Sequence, residues 1–320
     1  TTPVAKHGRL SVKGADLVDS KGNKFQLRGI STHGINWDVG SPYVNKKAFK
    51  TLRDDWGVNA IRLAMYTEEY NGYCSGGSQA KLRKLVDKGV GYATDLGMYA
   101  IIDWHILSDG NPNKNKSQAK KFFTTMAKKY KNNKNVIYEI CNEPNGCGWK
   151  EIKSYATDII KTIRKYDKKA VIIVGTPTWS QLGTDGTSNE VADSPIKGYK
   201  NIMYSLHFYA SEWAHNEYLP AKVAYARKKK LPIIVSEFGL SPARGDGAIN
   251  KASADKWMKL LNKYNISYFC WSLSNKNESA SLLKPSTKKT SGWKSGDLST
   301  AGKYIKKKYL ARKKALGKKA

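Results

Sequence analysis

Two glutamates, Glu143 in VIYEICNEPNG (136–146) and Glu237 in PIIVSEFG (232–239), each follow a short apolar run rich in Ile and Val. Brought to opposite sides of one mouth, such a pair suits the cleavage of a glycosidic bond. One carboxyl protonates the departing oxygen and the other attacks the anomeric carbon or activates water. Either glutamate alone reads equally well as the charged end of an ordinary strand. The pair gains weight from its company, because Asn142 stands beside Glu143, and His33, Arg62, His105, Trp179, His207 with Tyr209, and Trp271 fall at the ends of other apolar runs. Arg62 and Tyr209 suit donation to a nucleophilic carboxylate, keeping it charged, and the Asn142 amide beside Glu143 suits a sugar hydroxyl. His105 and His207 read as neutral hydrogen-bond partners, although IIDWHIL would bury His105 in a core as readily. Trp37, Trp179, Trp213 and Trp271 lie where an indole can cover the apolar face of a pyranose, whereas Trp56, Trp104 and Trp257 fit packing positions.

These residues need a scaffold that gathers distant segments at one end. Eight strand candidates recur, at 25–31, 59–65, 99–105, 136–142, 171–177, 202–209, 232–239 and 266–273, and several are continuously apolar. Helical periodicity is clearest between them at 79–95, 117–131, 149–167, 217–229, 251–264 and 299–315. Continuous apolar strands alternating with helices predict a parallel sheet covered on its outer face, here an α/β (β/α)8 TIM barrel whose active site sits at the C-terminal strand ends. No Pro/Ser/Gly-rich linker divides the chain. The expectation is one catalytic domain over 1–320, with a basic C-terminal helix and tail at about 299–320.

Composition narrows the function classes. Of 320 residues, 56 are basic and 26 acidic, a net charge of +30 that would attract any polyanion. The lysines concentrate in helical segments such as KKFFTTMAKKYKNNKN, with apolar anchors between those of the C-terminal helix, so they read as solvated helix faces. Neither a zinc-finger ligand set nor an RNA-binding aromatic motif accompanies them, which argues against nucleic acid. No apolar run approaches the roughly 20 residues of a membrane span, so no membrane insertion is expected. Cys74, Cys141, Cys147 and Cys270 are too scattered for a disulfide framework or a structural zinc site. Cys141 and Cys270 read as core thiols, and Cys74 with Cys147 as a candidate bridge between loops.

RGISTHG (28–34), AIRLAMY (60–66), IIDWHIL (101–107), IYEICNEPNG (137–146), IIVGTPTWSQ (172–181), MYSLHFYA (203–210), VSEFG (235–239) and WSLSNKNESASLLKP (271–285) together resemble glycoside hydrolase family 5, in particular its bacterial-type endo-β-1,4-glucanases. The likeness runs from about residue 7 to residue 311. It implies a retaining cellulase in which Glu143 matches the acid/base and Glu237 the nucleophile. Arg62, His105, Asn142, His207 and Tyr209 match the network around them. On the same basis His33 and Trp271 belong to substrate binding, Trp271 beneath the sugar before the scissile bond. Trp37 and Trp179 match platforms flanking the cut, and Lys276 and Glu278 match polar residues that hold a more distant glucose. The family requires no metal or organic cofactor. FGLSPARGDG departs from its usual pattern at Phe238, Leu240 and Pro242, on the rim that shapes substrate preference.

The expectation is therefore a monomeric, secreted, extracellular enzyme acting on a β-glucan, any signal segment having been removed before residue 1. The same chemistry on mixed-linkage glucan or mannan is the nearest alternative, and a non-catalytic glycan-binding barrel the remote one. The lysine excess is expected to allow electrostatic adsorption to anionic wall material.

Overall fold

A computed structural model describes residues 1–320. A short hairpin, β1 (Ser11–Lys13) and β2 (Asp16–Val18), precedes eight parallel strands: β3 (Arg28–Thr32), β4 (Ala60–Tyr66), β5 (Tyr99–His105), β6 (Val136–Glu139), β7 (Ile172–Val174), β8 (Ile202–Tyr209), β9 (Ile233–Gly239) and β10 (Tyr268–Leu273). Each pairs with the next, and β10 returns to β3, closing a barrel. The chain is thus the (β/α)8 barrel its alternation predicts. Helices cover the outside, among them Gln79–Asp95, Lys116–Tyr130, Trp149–Arg164, Trp213–Lys228, Lys251–Lys263 and Thr300–Leu316. One more, Lys46–Trp56, buries Ala48, Phe49, Leu52 and Trp56 at helical spacing. Asn45 caps its start, and Gly57, at φ 70°, turns the chain out of it. No helix is long and apolar enough to cross a membrane.

Side chains inside the barrel change character with height. The floor is apolar, built from Ala60, Tyr99, Ile101, Ile137, Ile173, Met203, Ile234 and Phe269 and closed from below by Leu10, Leu17, Phe25 and Leu27. Successive inward residues are two positions apart on a strand. Stepping by two from Ala60, Ile101, Ile137, Met203 and Ile234 reaches Arg62, Asp103, Glu139, Ser205 and Ser236, all buried. The polar middle layer rests directly on the apolar floor.

Strand β9 breaks this parity. Ser205 pairs with Ile234 but His207 with Glu237, and Tyr268 pairs with Val235 but Cys270 with Phe238, so β9 carries one residue more than either neighbour. This bulge lets consecutive residues Ser236 and Glu237 both reach the interior, one bonding Glu139 and the other Arg62.

Three expectations are corrected. Strand β6 ends at Glu139, so Asn142 and Glu143 stand on the loop beyond it rather than at its last residues. Trp213 is the first residue of a helix rather than a loop residue. All four cysteines are free, so Cys74 and Cys147 form no bridge.

Candidate active site

At the C-terminal end of the strands lies a cavity of about 650 Å³ lined by His33, Trp37, His105, Glu143, Trp179, His207, Tyr209, Glu237, Trp271, Lys276 and Glu278. Arg62 and Asn142 are not part of its wall; both are buried beside it. One carboxylate oxygen of Glu143, one of Glu237 and a ring nitrogen of His207 lie within 4.8 Å of one another.

Arg62 organises the layer below. Its Nε and Nη2 donate to the two oxygens of Glu139 (2.8 and 3.1 Å), Nη1 donates to Glu237 Oε1 (2.9 Å), and Nη2 also reaches Asn142 Oδ1 (2.6 Å) and Asp103 Oδ2 (3.1 Å). Tyr209 Oη donates to the other Glu237 oxygen at 2.7 Å. Burial opposes the charge on Arg62, but Asp103, Glu139 and Glu237 outweigh it and hold the guanidinium firmly protonated. One cation does not balance every carboxyl around it. Burial, reinforced by Glu237, pushes Asp103 up to about 8 against the pull of Arg62. Burial with Asp103 pushes Glu139 up to about 7, again against Arg62.

Glu143 is raised to about 8 by burial, with Asp103 and Glu139 adding to the shift and Arg62 opposing it. The hydrogen bonds point the same way. Ser236 Oγ donates to Glu139 Oε2 (2.8 Å), so it accepts from His207 Nε2 (2.7 Å). Burial holds His207 down at about 4, hence neutral, and this tautomer leaves Nδ1 bare. Nδ1 stands 2.7 Å from Glu143 Oε2, and the proton that completes the contact belongs to a carboxylic acid. The network Glu139–Ser236–His207 thus holds a proton on Glu143.

The aromatic lining is equally constrained. Trp271 stacks on His105 at 5.2 Å between centroids and 11° between planes, while His105 Nδ1 meets Asp103 Oδ2 at 2.5 Å. Trp37 stacks on Tyr66 at 4.4 Å, and its indole N–H donates to the Tyr70 carbonyl. His33, lowered to about 3 by burial with Lys276 and His105 adding, lies 3.8 Å from Glu278, which Lys276 meets at 3.2 Å.

Trp179 sits in a run of left-handed backbone, Thr178 (φ 61°), Trp179 (φ 55°) and Ser180 (φ 62°), without a glycine. Each such residue costs roughly 1–2 kcal/mol. The run is held by Trp179 N–H donating to the Pro144 carbonyl (2.9 Å) and Ser180 Oγ donating to the Asn142 carbonyl (2.7 Å). Strain is thereby stored where it aims an indole at the cavity.

The Asn142 amide, read from sequence as a sugar ligand, is engaged by the protein: it accepts from Arg62, donates to the Ile106 carbonyl (2.9 Å) and faces His105 Nε2 (3.3 Å). Sequence reading missed Asp103, Glu139 and Ser236. It also missed His215, whose Nδ1 accepts from the Tyr209 backbone, and the rim residues Glu69, Gln181, Glu212 and Arg244. Asp103 and Glu139 did carry a signal, an acid two residues above an inward apolar position. Phe238, one of the rim departures, turns outward to stack on Phe208 at 5.2 Å, and Leu240 is buried, so neither lines the cavity.

A family model described as cellulase (glycosyl hydrolase family 5) matches residues 18–277. Endoglucanase A of Butyrivibrio fibrisolvens is 45% identical over 303 residues, covering 93% of this chain and 68% of that protein. An endoglucanase of Clostridium saccharobutylicum is 47% identical over 304 residues, covering 94% and 64%. The chain therefore spans about two thirds of the length of these relatives. The catalytic domain of a Thermobifida fusca endoglucanase, solved in complex with cellotetraose, superposes with a TM-score of 0.89 at 36% identity, covering 97% of this chain and 100% of that one.

Proposed function

The chain belongs to glycosyl hydrolase family 5, and from its site we propose a retaining endo-β-1,4-glucanase that cuts internal bonds of cellulose and related β-glucans. The observation that carries this reading is the closeness of two carboxyls, Glu143 and Glu237, an oxygen of each lying within 4.8 Å of the other. Retaining glycosidases hold their two carboxyls roughly 5 to 5.5 Å apart, whereas inverting ones leave room for a water between them.

In the first step Glu143 gives its proton to the glycosidic oxygen as Glu237, receiving hydrogen bonds from Arg62 and Tyr209, attacks the anomeric carbon. The C–O bond to the leaving chain breaks, and a glycosyl ester on Glu237 forms. Esterification removes one negative charge from the cluster, which lowers the proton affinity of the neighbouring carboxylates. Glu143, now ionised, takes a proton from water as that water attacks the same carbon, releasing the sugar and restoring Glu237. His207 and Ser236 return Glu143 to its starting hydrogen bond. Trp271, stacked on His105, supplies the apolar face for the ring being cleaved, and Lys276 with Glu278 supplies polar contacts farther along.

The strand-end loops carry no long insertion that would roof the cleft, so an internal stretch of polymer can enter. The viscosity of carboxymethylcellulose is expected to fall steeply while few reducing ends have appeared. Viscosity loss merely in proportion to reducing ends would reject endo action. A run in parallel on barley mixed-linkage glucan and on mannan tests the substrate class, and a mannan rate well above both glucan rates would reject the glucanase reading.

The same reading puts the work outside the cell, because polymeric cellulose does not cross a membrane. The excess of lysine lies on outer helices, as at Lys120, Lys121, Lys128 and Lys129, whereas the cavity lining carries more acids than bases. We propose that these outer faces hold the enzyme on anionic wall polymers without occupying the cleft. Adsorption to pectin-containing wall material should then weaken as salt rises from low ionic strength to about 0.15 M, where the screening length is about 8 Å. Salt-independent adsorption would rule the idea out.

A further inference from the structure

Five large apolar side chains are exposed: Tyr70, Trp179, Trp213, Tyr218 and Leu310. Three of them stand on adjoining parts of one rim. Trp179 (47% exposed) follows β7, while Trp213 (69%) and Tyr218 (36%) belong to the helix that follows β8. Scattered exposed apolar residues need no explanation, but three carried by segments that line one cleft call for one.

Trp213 lies between two cavity-lining residues, Glu212 and His215, and its ring meets that of Tyr218 edge to face at 6.0 Å. The loop from Gln181 to Ser188 joins this pair to Trp179. Gln181 lines the cavity, and Gly186 presses on the Tyr218 ring, where a Cβ would come within 2.9 Å. The loop is fastened from behind by Lys222, a buried lysine without a carboxylate partner. Its ammonium donates instead to the carbonyls of Gln181 (3.0 Å) and Asp185 (2.6 Å). Burial lowers the pKa of Lys222, a cost accepted at a position that fixes this loop against the helix. The rim from Trp179 to Trp213 is therefore built, with each part bonded or packed to the next.

We propose that Trp213, flanked by Tyr218, is a distal sugar platform that receives glucosyl units of the β-glucan chain on the leaving-group side, beyond those held at Trp179. This rests on the function proposed above. The side is fixed by Glu143, which protonates the departing oxygen and whose following residue, Pro144, bonds the Trp179 backbone. Its chemistry is that of an indole face open to solvent, suited to the axial C–H surface of a pyranose, with the acid of Glu212 beside it for hydroxyls.

The test compares Trp213→Ala with the unaltered protein on dinitrophenyl cellobioside, on cello-oligosaccharides of increasing length and on carboxymethylcellulose. Trp213 is exposed, so an unchanged thermal midpoint is expected. Loss of one aromatic platform should lower kcat/KM about 3- to 10-fold on the longer oligosaccharides and the polymer. Hydrolysis of the aryl cellobioside, which does not reach the platform, should be unchanged, and Trp213→Phe should recover part of the loss. Equal rates for wild type and Trp213→Ala at every length would overturn the platform while leaving the hydrolase reading intact. A loss of the same size on the aryl substrate would also overturn it, as would a change in sedimentation showing that Trp213 joins two copies of the chain. Failure of the unaltered protein to hydrolyse any of these substrates would instead sink the functional reading itself.

Discussion

Glu237→Gln is expected to abolish turnover on every β-glucan, by a factor on the order of 10⁴ or more, because an amide cannot form the glycosyl ester on which both half-reactions depend. Glu143→Gln should behave differently. On polymer it loses the roughly 10²- to 10⁴-fold that general acid–base catalysis supplies. On dinitrophenyl cellobioside, whose leaving group departs without protonation, it should keep a pre-steady-state burst, followed by slow deglycosylation for want of a base. The pH dependence separates the roles further. With Glu143 raised to about 8 by burial, the acid is protonated below that pH and lost above it, so kcat/KM on cello-oligosaccharides should fall above about pH 8, tenfold per unit. That limb should vanish from the aryl-substrate profile of Glu143→Gln. Equal and complete loss of the burst in both variants would contradict the assignment of roles.

Arg62→Met is expected to be the most destabilising single change at the site. It leaves Glu139, Asp103 and Glu237 buried without their shared counter-ion, and removing one partner of a buried ion pair costs about 3–5 kcal/mol. The sign with pH follows from the carboxyls. Asp103 and Glu139 already have folded pKa values raised above the ordinary range, and loss of Arg62 raises them further. A group raised in this way favours the folded state at low pH, and that contribution is lost as pH rises through the folded value. The gap between Arg62→Met and wild type in urea denaturation should therefore be smaller near pH 5 than near pH 8, a span across the raised values cited. A gap that is constant across this range would show that Arg62 acts by packing rather than by charge.

Much of the site is legible because inward strand positions keep a period of two. Arg62 and His105 each stand an even number of residues above an apolar floor residue, where a polar side chain in an apolar run is conspicuous. Asp103 and Glu139 keep the same period, but their strands are apolar on both faces, so that signal can be read only once the inward parity is known. Their partner Arg62 also lies on another strand. Ser236 could not be paired with Glu237 by any alternating rule, because the β9 bulge, set by neighbours on both sides, turns consecutive residues inward. The left-handed run at Trp179 hides behind PTWS, which reads as an ordinary helix start with Pro at its first position. The spacing of Ala48, Phe49, Leu52 and Trp56 was available, but a run with charged residues on its remaining faces stood out less than its longer neighbours.

The bonds from Trp179 to Pro144 and from Ser180 to Asn142 give the proposed proton donor and the proposed seat of the departing sugar a common datum. Glu143 lies between the two anchor points, Asn142 and Pro144, so its aim is gauged from the part that leaves. Glu237 is gauged from Arg62 and Tyr209 inside the barrel, and Arg62 also holds the Asn142 amide. The cleft therefore has two tolerances joined at Arg62. Drift in the loop behind Trp179 would misalign bond departure first and reach Glu237 only through Asn142 and Arg62, and the rim on the leaving-group side can diversify only as far as its anchor to the donor loop permits.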